Sequence, residues 1–256
     1  MVKIALTFIL MVLSFGVSFA FENVNSLIPK GHQPGNGYVN DILPYYFETN
    51  LSWDNSKELV LHYSHKKKGE PYPDKQIISM FKKSNGADLK IWEICFDNYE
   101  EIDFLIDDIN KDGKKEMIVH GLHSGTGACG NLWLYQLGEK VPRKIFGKSV
   151  EGEGYILGAN GQKSNLDHDF FPDLDKDGIV EILVGYRGES NHASSVDSPF
   201  WFDVYKWNGK SYFLADDQFP GFYKEELSGY KQLVKEKGET ELLREYIKRA
   251  KNFAGI

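Results

Sequence analysis

Two short stretches of this chain place oxygen-bearing side chains at a spacing suited to a hard cation. One is Asp108-Ile109-Asn110-Lys111-Asp112-Gly113-Lys114-Lys115-Glu116 and the other is Asp173-Leu174-Asp175-Lys176-Asp177-Gly178-Ile179-Val180-Glu181. Each has Asp or Asn at loop positions one, three and five, glycine at six and glutamate at nine. On a tight turn, alternate side chains converge on one point, where calcium takes about six to eight oxygens at roughly 2.3–2.6 Å. Gly178 permits the positive φ that closes its loop, and the Ile179 carbonyl at position seven adds an oxygen. An EF-hand is excluded by its own spacing. Its bidentate acid belongs at about position twelve, which is Val119 in one stretch and Val184 in the other.

Stepping out from the loops, each opens onto a β-branched apolar run, Met117-Ile118-Val119 or Ile182-Leu183-Val184, so strands rather than helices must hold them. A worn third copy precedes Leu59-Val60-Leu61-His62. It ends in Glu58, but the acids at its first and third positions are missing, and no cation is expected there. The glutamates closing the three copies, Glu58, Glu116 and Glu181, are 58 and 65 residues apart, which is the signature of an internal repeat. Strand-like runs recur within each unit. They are Gln76–Phe81 and Leu89–Ile94 in the first, Leu132–Leu137 and Arg143–Phe146 in the second, and Phe200–Trp207 and Ser211–Leu214 in the third. Ser84-Asn85-Gly86 and Asn208-Gly209 read as hairpin turns. A strand before each loop, such as Ile102–Ile106, makes about four strands per unit.

Loop, strand, gap, strand, turn, strand, with an Asp-x-Asp/Asn-x-Asp-Gly-x-x-Glu loop, resembles the FG-GAP and VCBS-type calcium-binding repeats of integrin α-chain propellers and many secreted bacterial proteins. The resemblance implies a mainly β fold of three propeller-blade-like repeats over residues 45–218. It also implies two calcium sites. Their ligands would be Asp108, Asn110, Asp112, Lys114 (backbone) and Glu116, and Asp173, Asp175, Asp177, Ile179 (backbone) and Glu181. The later loop carries four carboxylates and the earlier three. Affinity in such loops rises with ligand charge, so the later loop is expected to fill first. A closed propeller needs at least about four blades; three repeats therefore call for a cryptic fourth or an open stack with a cap. The cap is expected from residues 219–256, where Tyr223 to Phe253 has helical periodicity interrupted at Gly238.

The remaining features bound the setting. Residues 1–20 combine Lys3, an apolar run and Ser18-Phe19-Ala20, a signal-peptide pattern predicting export, periplasmic or secreted, with no stable membrane span after cleavage. Removing the first 20 of 256 residues leaves 236 and, with Lys3 gone, shifts the formal charge from −7 to −8. Residues 21–44 form a lead-in without periodicity. No basic stripe with interleaved aromatics points to nucleic acid. Cys95 and Cys129 are the only cysteines, and export favours a bridge between them. The expected role is a non-catalytic binding or interaction module for a protein or glycan ligand. The sugar-stacking candidates are Trp133, Tyr186, Trp201 and Trp207, beside the gap loops at 125–130 and 188–195. The alternative is an exported hydrolase or glycan-processing enzyme built on His120, His123 and neighbouring acids.

Overall fold

The computed structural model describes residues 24–34, 46–49, 57–123, 129–138, 140–151, 171–187 and 199–256; the side chains of 46–49, Cys129 and Glu151 are outside that description. The predicted signal peptide, the worn loop at 50–56, and most of both gap loops lie outside the described residues.

The fold is mainly β, with three antiparallel sheets followed by two helices. The first sheet holds β1 (His32–Pro34), β2 (Tyr46–Thr49), β3 (Glu58–His65), β4 (Lys75–Ser84) and β5 (Ala87–Asp97). β1 and β2 pair with successive halves of β3, so together they make one interrupted edge. The second sheet is a meander of β6 (Glu101–Asp107), β7 (Glu116–Leu122), β8 (Cys129–Gln136) and β9 (Arg143–Glu151). The third contains β10 (Ile182–Arg187), β11 (Phe200–Trp207) and β12 (Tyr212–Leu214).

Register makes the internal repetition concrete. Glu58 begins β3 and pairs with Lys82; Glu116 begins β7 and pairs with Gln136. Four residues on, His62 and His120 occupy matching places. The register of β4 with β5 shifts between Met80 and Phe81, and that of β8 with β9 shifts between Leu134 and Tyr135. Both bulges fall just before the residue facing the glutamate, leaving Ile91 and Ile145 as the extra residues.

The two hairpin signals have different outcomes. Asn85 and Gly86 both take positive φ, as a two-residue turn between Ser84 and Ala87 requires. In the third sheet only Gly209 does. Asn208 instead uses its side-chain oxygen to accept from the Lys210 and Ser211 N–H groups, at 2.9 and 3.0 Å, so the turn centres one residue later than Asn-Gly predicts.

Core clusters link neighbouring layers. Val24, in a short 3₁₀ turn of the lead-in, packs with Leu59, Leu61 and Tyr63 on the first sheet. Val60, Ile78 and Trp92 of that sheet meet Phe104, Met117 and Val119 of the second. A larger cluster joins Ile118, Leu132 and Phe146 to the third sheet and to the helices. Among the described residues no such cluster unites the first sheet with the third, so the layers follow one another from lead-in to helices.

Helix α1 (Pro220–Lys237) starts with Pro at N1 and ends at Gly238, φ 87°. Helix α2 (Glu241–Ala254) is capped by Thr240, which accepts from Leu243 N, and stops at left-handed Gly255. Tyr223, Leu227 and Tyr230 of α1 and Leu243, Tyr246 and Ala250 of α2 are buried in the cluster that includes Trp201, as a core-docked pair should be.

Candidate metal centre

The two nine-residue loops fold by the same internal hydrogen bonds. The first aspartate accepts from the glycine N–H: Gly113 to Asp108 at 3.2 Å, Gly178 to Asp173 at 3.0 Å. The third residue accepts from the fifth: Asp112 N to Asn110 at 3.0 Å, Asp177 N to Asp175 at 3.3 Å. The fifth accepts from the seventh: Lys114 N to Asp112 at 2.9 Å, Ile179 N to Asp177 at 2.8 Å. The ninth reaches back to the second: Ile109 N to Glu116 at 3.2 Å, Leu174 N to Glu181 at 2.8 Å. Lys111 and Lys176 at position four, and Gly113 and Gly178 at position six, all have positive φ. Short polar side chains thus satisfy the N–H groups of a turn too tight for a ladder.

These bonds gather oxygen in each loop. One oxygen each of Asp173, Asp175 and Asp177 lies within 4.8 Å of the others. Glu116 and Glu181 are fully buried at the root of each loop, and the Oε1 atom of each lacks a hydrogen-bond partner, as do Asp108 Oδ1 and Asn110 Nδ2. Burial pushes the Glu116 carboxyl up to about 7, Asp112 and Asp108 add to the rise, and the N–H of Ile109 opposes it. Burial likewise takes Glu181 up to about 7, with the N–H of Leu174 opposing and Asp175 adding. A buried carboxylate oxygen with no donor, next to further carboxylates, is costly in a cation-free loop. An all-oxygen donor set with such an orphaned atom fits a hard cation. All ten predicted ligand residues therefore fall in two like turns. The carbonyls of Lys114 and Ile179 belong to residues whose N–H groups are already committed within the loop.

The loops also touch each other. Val180 N donates to Ile109 O at 3.2 Å, and Tyr212 OH donates to Val180 O at 3.2 Å. The Tyr212 phenol is pushed far up, first by burial and then by the charges of Glu116 and Glu181, so its ring stands near both roots.

Two side chains from neighbouring strands enter the loops, and sequence reading missed both. Gln136, ending β8, donates from Nε2 to Asp112 Oδ2 at 2.6 Å, while Arg143 Nη2 donates to its Oε1 at 2.7 Å. Lys206, near the end of β11, donates to Asp175 Oδ2 and, at 3.2 Å, to Asp177 Oδ2. Their shared place, opposite the loop-closing glutamate, was the available signal once strand register was known.

The other candidates are spread over the described residues, with His120 facing Asp103 in the β6–β7 ladder. His120 is buried on β7, and burial pushes its imidazole down to about 4. His123 is exposed and stacks on Tyr99 at 4.3 Å between ring centroids. Trp201 and Trp207 are buried in the core rather than displayed, Trp201 against Tyr223 and Tyr230 of α1 and Trp207 against Tyr212 of β12. Trp133 packs against the cluster between the first two sheets. Tyr186 accepts from Arg249 Nη1 at 2.8 Å. Cys95 carries a free, exposed thiol on the outer strand of the first sheet, and the Cys129 side chain lies outside the described residues, so the expected bridge finds no support. Among the described residues no helix is long and apolar enough to cross a membrane.

No protein-family model matches the chain, and no curated protein matches it.

Proposed function

We propose that this chain is an exported calcium-binding β-repeat protein of the FG-GAP and VCBS kind, acting as a non-catalytic module that binds a protein or glycan ligand. One observation carries the cation reading: two loops with the same hydrogen-bond scheme each end in a fully buried glutamate whose outer oxygen has no donor. A calcium ion would supply that missing charge, held by Asp108, Asn110, Asp112 and Glu116 in one loop and by Asp173, Asp175, Asp177 and Glu181 in the other. Bound there, it pins two surface loops to the strands that follow them and offsets carboxylate repulsion. The module reading rests on the likeness of the two loops, and of the strands that follow them, to such repeats. Export rests on the N-terminal pattern alone.

Thermal unfolding in millimolar calcium and in chelator tests the proposal. A site with a dissociation constant near 10⁻⁴ M in about 1 mM calcium adds roughly 1.4 kcal/mol to folding stability, so the melting temperature should fall visibly on chelation. Magnesium should substitute poorly, because it demands a smaller, near-octahedral shell. Identical melting curves together with no calorimetric binding would reduce the loops to acidic turns.

A further inference from the structure

The position opposite each loop-closing glutamate differs among the three units in charge. In the first unit, whose loop lacks the acids at positions one and three, Lys82 faces Glu58 and its ammonium lies 3.7 Å from the carboxylate. In the second, neutral Gln136 faces Glu116. In the third, the β10–β11 ladder begins with Ile182 opposite Tyr205, which places Lys206 beside Glu181. The third loop therefore combines a complete acidic ligand set with the lysine of the unit that has none.

That lysine sits where it matters. Its Nζ bonds two of the carboxylates that would hold an ion, Asp175 and Asp177. Its ammonium also lies 5.7 Å from the Phe219 ring centroid, an aromatic face that can hold the displaced charge nearby. Among the described residues the earlier loop has no such occupant. Gln136 offers Asp112 only an amide N–H, and Arg143 on its other end fixes the amide that way round. The earlier loop is also the better anchored, since Asn110 is buried and Ile109 belongs to the core. Calcium entering the later loop must move a cation, whereas calcium entering the earlier one need not.

We propose that Lys206 is a tethered counter-ion that competes with calcium for the later loop, so that the Asp108–Glu116 loop fills first and the Asp173–Glu181 loop responds only at higher calcium. This rests on both loops being calcium sites, and it reverses the order that ligand charge alone predicts. Lys206 holds the carboxylates together when calcium is scarce. The later loop thus keeps its shape without the ion, and chelation disturbs it less than the earlier one. The second unit is then a standing calcium staple and the third a sensor of calcium concentration.

Calcium titration of the full chain by calorimetry tests this, using Asp177→Ala to isolate the earlier loop, Asp112→Ala to isolate the later, and Lys206→Gln with both loops intact. The earlier loop should bind more tightly. Lys206→Gln should tighten the later loop about tenfold, the scale set by removing one close charge from a half-exposed cluster. The reciprocal Gln136→Lys should weaken the earlier loop comparably, and it provides a second reading should an aspartate variant fail to fold. Tighter binding by the later loop in the wild type, or an unchanged constant in Lys206→Gln, would overturn the inference while leaving both calcium sites standing. No calcium uptake by the wild type or by Lys206→Gln would overturn the calcium reading and the competition together.

Discussion

Glu116 is the residue whose surroundings most demand a partner. Its Oε2 accepts from Ile109 while Oε1 has no donor in a fully buried position, and Asp112 and Asp108 raise its carboxyl further. A Glu116→Gln substitution should therefore change sign with conditions. In chelator it should stabilise by on the order of 1 kcal/mol, because a poorly compensated buried charge is gone; in calcium it should lose the earlier loop's response. Melting curves of the variant in both media check the crossover. A second residue-scale expectation concerns His62, buried and hydrogen-bonded to Gln76 at 2.9 Å, whose imidazole burial pushes from 6.5 down to about 4. Between those values the unfolded chain binds the proton and the folded chain does not. The stabilising contribution is thus complete above about pH 6.5 and is lost as pH falls toward 4, by on the order of 2–3 kcal/mol. Urea unfolding should show wild type losing more stability than His62→Gln between pH 7 and 4.5; parallel losses would mean that His62 is protonated in the folded state.

At the scale of elements, the helices are attached by aromatic rings with hydroxyl handles. Tyr223 stacks on Trp201 at 5.4 Å and its hydroxyl donates to Asp216 Oδ1 at 2.7 Å, the same oxygen that accepts from Val204 N. Tyr230 also stacks on Trp201, at 6.3 Å, and its hydroxyl donates to Phe200 O at 2.8 Å. Arg249 of α2 lies 4.2 Å above the Trp201 ring and bonds Tyr186. Burial raises the Asp216 carboxyl, and the Tyr223 hydroxyl counters that rise. Tyr223→Phe should cost about 1–3 kcal/mol, since it removes a donor from a buried carboxyl while preserving the ring stack. Chemical denaturation checks the value, and an unchanged midpoint would show the hydroxyl to be dispensable.

For the whole molecule, the order of layers matters more than their number. The third sheet shares one core with the second sheet and with α1 and α2, with Trp201 and Phe202 buried. Ending the chain at Phe219 should expose those rings and convert a folded protein into aggregating material. Size-exclusion chromatography and near-ultraviolet circular dichroism read this out, and a monomeric, cooperatively melting truncation would mean that the helices are not a cap. The contact of the two loops through Val180 N and Ile109 O is the other molecule-wide feature, since it ties the second and third units together.

The local sequence determined the shape of the loops, because the side-chain bonds repeated inside both run between residues no more than seven apart and the positive φ values within them fall on Gly or on the lysine at position four. It determined the strands and most turns for the same reason, since alternation and Asn-Gly chemistry act over a few residues. It did not determine the turn at Asn208, where a side chain with two N–H groups in reach outcompeted the backbone preference. Nor did it show which aromatics are core, because Trp201 is buried by helices that begin 19 residues later. Least legible were Gln136 and Lys206. Each lies 24 to 31 residues from the carboxylate it touches, and only the antiparallel register of β8 and β11 brings it there. Counting carboxylates along the chain weighs a loop's own charge; the charge that competes for it is delivered by strand pairing, and pairing is a property of the tertiary structure.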